Sequence, residues 1–547
     1  MSEVTSPFDE TIKPSRSARA WDVIDAVTAR IGDNLNPILV KEARQALKSR
    51  QFTASFWLVL LFAIGWSFVG ISLLVPRVYY MPSGRFMITG YFLIFTIPLL
   101  LVVPFSAFRS LATEREDGTY ELLSITSLSA RQIVTGKLGS ALMQMLVFYA
   151  ALAPCITFTY LLRGMDIGTI FILLVGTFLV SVFFSSIGLV FAGMSKARAW
   201  QALTSVLLLL MLLFGGIYWS VFMLVLVHSG EVPINTTDFW LGVAFTLTLY
   251  ATFLVLLILI AAAQNSFASD NRSTQIRWLM IFQLVLFAGW IMFFWARYSE
   301  GVFAEIAIVF AGIAWTLYGA LLTGEVAELS PRARRDLPHT FFGRVFLTWF
   351  NPGSATGYVF ALTAFGCFVA WMVGTSLFAS TNVPSMAHPR PDRLTAFGLL
   401  VWAYMAFYLG LGRLIIIGLR RVASFGLPAV LMIHMLILVS ACAIPTLIQF
   451  WLQNFRDIDY SEMQIMNWIW TLIEAGSGRW PMQSTMAIVG GLGSFMFLLN
   501  LVFAAREVEA SRIRTPDRVV QDDKDSDSGS GTRQEFRPMD SANSRKS

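Results

Sequence analysis

The chain has 547 residues, of which 56% are hydrophobic and only 14% charged, which excludes an ordinary soluble domain, where about a quarter of residues are ionised. Its 40 Lys and Arg outnumber 34 Asp and Glu to give +6, but the excess sits between apolar runs and speaks for membrane topology rather than a nucleic-acid partner. Cys155, Cys367 and Cys442 all fall inside apolar runs, so neither a disulfide framework nor a metal site has support.

The first 52 residues are polar and basic, and no cleavable signal is apparent before the apolar run that begins near Phe52; span 1 is expected to serve as its own insertion signal. Within this segment Asn36 suits an N-cap and Pro37 the first helical position. Leu39, Ala43, Ala46 and Leu47 then line one face, opposite Lys41, Glu42, Arg44, Gln45 and Lys48. That pattern predicts a helix lying flat on the membrane surface.

Uncharged windows long enough to cross a ~30 Å hydrocarbon core follow. They are 53–75, 87–108, 138–162, 167–193, 200–228, 239–263, 278–296, 302–323, 355–378, 394–417, 426–452 and 485–505. The expected fold is therefore all-α, a polytopic membrane protein with twelve spans and both termini on one side. Sorting by loop places 32 Lys and Arg on the side of the termini and eight on the other, namely Arg77, Arg85, Arg163, Arg297, Arg390, Arg393, Arg456 and Arg479. Basic residues near span ends stay in the cytoplasm, so both termini are expected there.

The loops suggest a repeat. Spans 1 to 6 (53–263) contain a long loop, 109–137, after the second span, and spans 7 to 12 (264–505) contain another, 324–354, after the eighth. Short basic loops follow spans 4 and 10. The tail, 506–547, is rich in charge and serine and is expected to be disordered, since it cannot bury enough surface to offset the entropy of ordering.

Loop 109–137 is the most informative stretch. Glu114, Glu116, Asp117 and Glu121 cluster near its start, and Leu122, Leu123, Ile125 and Leu128 follow. The pattern fits a short amphipathic helix, which could dock into a groove on a soluble partner or rest on lipid headgroups; amphipathicity serves both. Ser129 with Gln132 forms a capping box that starts the next helix.

At Glu114, Arg115, Glu116, Gly118, Thr119, Glu121, Leu123, Leu128, Ser129, Ile133, Val134, Gly136 and Lys137 the chain resembles the permease subunits of type-2 ATP-binding-cassette (ABC) transporters. Ser127 stands where that family usually has proline. The resemblance extends over about 34–263. It implies an exporter whose surface helix inserts into a separate cytoplasmic ATPase subunit, with Glu114, Glu116, Gly118, Thr119, Glu121, Leu122, Leu123 and Leu128 at the contact. ATP and Mg²⁺ would then belong to that partner, and this chain would hold no cofactor. One twelve-span chain could supply both membrane halves, or a homodimer could use two first halves. By the same resemblance spans 2 and 5 line the pathway, which makes Pro98, Pro104, Gln201, Thr204, Ser205, Gly215 and Gly216 candidates; the glycine pair suggests a kink or broken outer half in span 5.

The residues themselves offer little enzymology. A phosphate loop is lacking, because Arg131 stands where its first glycine belongs before Gly136 and Lys137, and Leu138 follows the lysine. Glu305 and Arg413 lie towards span ends, which argues against an ion-coupled secondary transporter. His434 reads as a helix-to-helix hydrogen-bonding group. A membrane-embedded enzyme or scaffold for lipid-linked substrates is the alternative from another class, and it would need polar groups gathered at one membrane face.

Overall fold

In a computed structural model, the described residues are 36–120, 128–194, 198–229, 232–267, 271–298, 301–326, 347–382, 391–422, 426–454, 459–477 and 482–512. Helices dominate, with no strand among the described residues, and twelve helices are long and apolar enough to cross a membrane. A surface helix, Pro37–Leu47, precedes them. Spans 1 to 6 are Arg50–Leu74, Gly84–Glu116, Ala130–Leu161, Ile167–Gly193, Arg198–His228 and Thr237–Asn265. Spans 7 to 12 are Thr274–Tyr298, Val302–Leu322, Ser354–Asn382, Pro391–Leu419, Leu427–Leu452 and Met482–Arg512.

Several spans outrun their apolar windows, because a helix ends where its caps lie and not where its hydrophobicity stops. Span 12 continues to Arg512, so Arg506 to Arg512 are helical and not part of a disordered tail. Glu507 explains the extension, since it forms an ion pair with the buried Arg413 at 3.1 Å. The tail beyond 512 lies outside the described residues.

The expected break in span 5 is absent: Arg198–His228 is one continuous helix through Gly215 and Gly216. The irregularity sits in span 2, where Pro98–Val102 form a π turn and the Val103 N–H reaches the Pro98 carbonyl. In that register the next donor, to Leu99, would be Pro104, which has no N–H. Ser181 of span 4 supplies the missing bond, its hydroxyl donating to the Leu99 carbonyl at 2.5 Å.

The helix pairings of the two halves match in order. In the first half spans 1–2, 1–3, 2–3, 2–4, 2–5, 3–4, 3–6, 4–5 and 4–6 pack; in the second, 7–8, 7–9, 8–9, 8–10, 8–11, 9–10, 9–12, 10–11 and 10–12 do so. Spans 6 and 7 join the halves. Each half has its own hydrophobic core, one around Phe95, Leu99, Phe108 and Phe148, the other around Trp315, Tyr358, Phe365 and Met405. Bonds at one end of the bundle show that neighbouring spans alternate in direction. At the end lacking the termini, the Gly84 N–H at the start of span 2 meets the Arg163 carbonyl after span 3 at 2.8 Å, and Arg393 at the start of span 10 pairs with Glu305 of span 8 at 3.6 Å.

One element did not announce itself. Between spans 11 and 12 the chain forms a 3₁₀ turn, Glu462–Met466, and a short helix, Trp468–Ser477. The Trp468 indole donates to the Leu438 carbonyl at 3.3 Å, near the midpoint of span 11. Tyr404 and Tyr408, near the middle of span 10, donate to the carbonyls of Ile465 and Met466. The segment is therefore re-entrant: it descends from one face to mid-bundle and returns.

Candidate functional site

The end of the bundle that carries the termini holds the densest set of buried charges. It is built on the surface helix. The Asn36 side chain accepts from the Ile38 N–H at 3.1 Å, and its amide donates to the Gln132 carbonyl at 2.5 Å. Span 3 makes room for this helix with two glycines. A Cβ on Gly136 would lie 2.9 Å from Ile38, and one on Gly139 would lie 2.8 Å from Leu39. Gly136 thus seats a helix.

Lys137 is fully buried beneath that seat. Its Nζ lies 2.9 Å from Glu114 Oε2, 3.3 Å from Glu42 Oε1 and 3.2 Å from the Ser110 carbonyl. Such a cation is tolerable only with paired carboxylates and further hydrogen bonds, because burial strips its water. Glu42, expected on the polar face of the surface helix, is buried as Lys137's partner; what looked like a solvated acid is a tether between the helix and span 3.

The neighbouring Arg115 ties span 2 to two other spans. It donates to the Gly193 carbonyl at 2.9 Å, the Gln264 carbonyl at 3.1 Å and Asn265 Oδ1 at 2.7 Å. Its guanidinium stands 5.4 Å from the Tyr120 ring centre, and the Tyr120 hydroxyl donates to the Asn265 carbonyl at 2.6 Å. Burial raises the Tyr120 pKa and keeps the phenol a donor, with the Arg115 charge pulling the other way.

The residues that carried the family resemblance divide accordingly. Glu114 is in the ion cluster. Glu116, Gly118 and Thr119 are exposed, and the last two end the helix: Gly118 takes the left-handed conformation at φ 69°, which favours glycine just past a helix end, while the Thr119 hydroxyl donates to the Glu114 carbonyl at 3.2 Å. Leu128 is half-buried. Ser129 and Gln132 form the expected capping box, and Ile133 and Val134 are buried. Glu121, Leu122 and Leu123 lie outside the described residues, so the centre of the expected amphipathic helix has no structural account.

The second half has a similar device: the acid again sits at the end of the half's second span, but the cation comes from its first span and not its third. Arg277, at the start of span 7, pairs with Glu325 just past span 8 and donates to the Trp349 carbonyl. Glu325 also accepts from the Ser273 hydroxyl at 2.7 Å and the Gly353 N–H at 3.2 Å. Arg420, after span 10, donates to the Gly324 carbonyl at 2.6 Å. Arg413 binds Glu507, Asn500 at 2.7 Å and Ser354 at 3.3 Å, fixing spans 9, 10 and 12 together. Lys137, Arg277 and Arg413 lie at or near the margins of apolar windows in the sequence, where a basic side chain ordinarily snorkels to the interface, so no one-dimensional signal marked them as buried ion-pair centres.

The expected pathway residues do not gather round an open route. Pro98 and Pro104 are buried, as are Gln201, Thr204 and Gly216. The Thr204 and Ser205 hydroxyls donate to the Gln201 carbonyl at 3.0 and 2.7 Å. A Cβ on Gly215 would meet the Phe184 ring at 2.6 Å, so this glycine serves the packing of span 5 on span 4. Gly216 faces Leu100 of the π turn. On span 9, Gly366, Ala370 and Gly374 form a ridge of small residues four apart in the sequence; a Cβ on Gly366 would lie 3.3 Å from Trp402, and one on Gly374 would have nothing within 4 Å.

A large concavity lies in the second half: a groove of about 1170 Å³ between spans 8, 10 and 11 and the re-entrant helix. These are the positional counterparts of spans 2, 4 and 5. His434 borders it and bridges helices as expected, 2.9 Å from the Val430 carbonyl and 3.4 Å from Thr323 Oγ1. Among the described residues no cluster of His, Cys, Asp or Glu could hold a metal ion. Comparison with family models, curated proteins and solved structures finds no match for this chain. On its own structure it is a multi-pass helical membrane protein with a transporter's build.

Proposed function

We propose that the chain is the membrane-spanning permease subunit of an ABC transporter, working as an exporter in the cell membrane with a separate cytoplasmic ATPase. One observation carries the reading: both ends of loop 109–137 are bolted to the rest of the bundle. Glu114 and Lys137 join spans 2 and 3 to the surface helix through Glu42. Arg115 joins span 2 to the ends of spans 4 and 6. A force applied to the segment between those ends would displace spans 2, 3, 4 and 6 and the surface helix as one body. A loop whose only task is to rest on lipid has no need of such anchorage.

In this reading both termini are cytoplasmic, ATP and Mg²⁺ are held by the partner, and Leu122 and Leu123 insert into it. Loop 324–354, fixed through Glu325 and Arg277, offers a second contact, so that one chain serves two ATPase subunits. The test is co-purification of an ATPase with the full chain, followed by the Leu122→Asp/Leu123→Asp double variant. The expected outcome is normal insertion, loss of ATPase association and loss of ATP-dependent transport. An unchanged association would reject the assignment.

A further inference from the structure

The groove in the second half has four properties that together point to an occupant. The first is length: its wall on span 11 runs from Leu431 to Phe450, about 28 Å of helix axis at 1.5 Å per residue, close to the ~30 Å of a bilayer's hydrocarbon core. The second is size: at about 1170 Å³ it far exceeds the ~150 Å³ apolar cavity that can stand dry and empty in a protein interior.

Third, the wall is apolar in effect. No charged residue lines it, and its hydroxyl, imidazole and carboxamide groups are turned back into the protein. Tyr404 and Tyr408 are bonded to the carbonyls of the re-entrant turn. Thr316 and Thr446 donate to carbonyls of their own helices at 2.7 and 2.8 Å. Asn467 donates to Thr446 and Gln464, each at 3.1 Å. Water entering the groove would find few partners, so its filling must be hydrocarbon.

Fourth, the groove opens sideways. Ile313, Leu317, Met435, Val439, Leu447 and Ile473 on its rim are all more than half exposed. Its mouth therefore faces the surroundings of the bundle at the level of the hydrocarbon. The rim also disfavours another helix as occupant: close helix packing in a membrane relies on small residues or interhelical hydrogen bonds, and these six side chains are bulky and apolar.

We propose that the groove between spans 8 and 11 and the re-entrant helix is a binding site for a long-chain amphiphile drawn from the bilayer. The hydrocarbon chain lies along span 11, and the polar head stays at the membrane surface. The site goes beyond the ATPase reading and does not require it, since binding here is an equilibrium with the bilayer.

The test uses the full chain reconstituted in phosphatidylcholine vesicles containing a trace of phosphatidylcholine with a diazirine midway along one acyl chain. The vesicles contain no nucleotide and no second protein. After irradiation the adducts are mapped by mass spectrometry. Adducts should concentrate on 309–320, 431–450 and 467–473, about tenfold above those on Phe62 and Val285, which are as exposed on spans 1 and 7. Ala443 lines the groove and is exposed, so Ala443→Trp should fill it without disturbing the core and lower groove adducts about tenfold, the effect of displacing two or so methylenes. Val285→Trp should leave them unchanged. Equal labelling of the groove and of spans 1 and 7 would overturn the proposal. So would indifference to Ala443→Trp, or chain-to-chain cross-links at the rim showing that a second copy covers it. Because the assay is nucleotide-free, its failure would leave the ATPase coupling standing, and loss of that coupling would leave the lipid site standing.

Discussion

Lys137→Met gives the sharpest test of the anchored loop. The side chain is fully buried, 2.9 Å from Glu114 and 3.3 Å from Glu42. At an effective dielectric of 20, each of these contacts attracts by roughly 5 to 6 kcal/mol. Most of that gain offsets the cost of desolvating the three ions. What remains decisive is the asymmetry: removing Lys137 leaves the two carboxylates with only the exposed Lys41, 3.9 Å from each, as counter-ion, and breaking a buried pair in this way costs about 3–5 kcal/mol. Unfolding of the purified protein in mixed micelles, titrated with a denaturing detergent and followed by circular dichroism, measures the loss. The triple variant Lys137→Met/Glu42→Gln/Glu114→Gln carries no stranded charge and should recover at least about 2 kcal/mol of it, since neutral replacement of a whole buried cluster is far better tolerated than its half-removal. A loss below about 1 kcal/mol in the single variant, or no recovery in the triple, would refute the reasoning that this cluster fixes the surface helix.

Other consequences follow from the same geometry. Arg413→Met should destabilise by about 3–5 kcal/mol, because Glu507 then loses its buried partner and the start of span 9 loses its tie to span 10; hydrogen exchange near Ser354 reports the loosening. A Cβ on Gly493 would lie 2.6 Å from the Ala403 carbonyl oxygen, whereas Gly490 has nothing within 4 Å. Gly493→Val should therefore cost about 1–3 kcal/mol through forced separation of spans 10 and 12. Gly490→Ala should be neutral or mildly stabilising through helix propensity, and equal effects at the two sites would contradict the packing. Tyr404→Phe with Tyr408→Phe leaves two re-entrant carbonyls without donors, at about 1–3 kcal/mol each, and should lower exchange protection over 459–477 while spans 1 to 6 stay unchanged.

Much of the scaffold was legible from one-dimensional signals. The twelve apolar windows became twelve helices because a chain in hydrocarbon must bond its own backbone, and hydropathy records that requirement directly. Asn36 with Pro37 and Ser129 with Gln132 marked helix starts correctly, since capping involves only residues a turn apart. Loop lengths alone hinted at a repeat, and the matching order of helix pairings agrees with it.

The tertiary structure decided what depends on partners far apart in sequence. Glu42 looked solvated because helical periodicity sees one helix, whereas its burial comes from Lys137 on another. Gly215 and Gly216 looked like a break in span 5, yet the π turn formed in span 2, where Pro104 withholds a donor and Ser181, from span 4, replaces it. The re-entrant segment was hidden because Trp468–Ser477 is too short to cross a membrane and reads as an ordinary loop; its stability rests on hydroxyls from span 10 that accompany it into the hydrocarbon. A sequence states which groups must find partners, and only the folded chain determines which partners reach them.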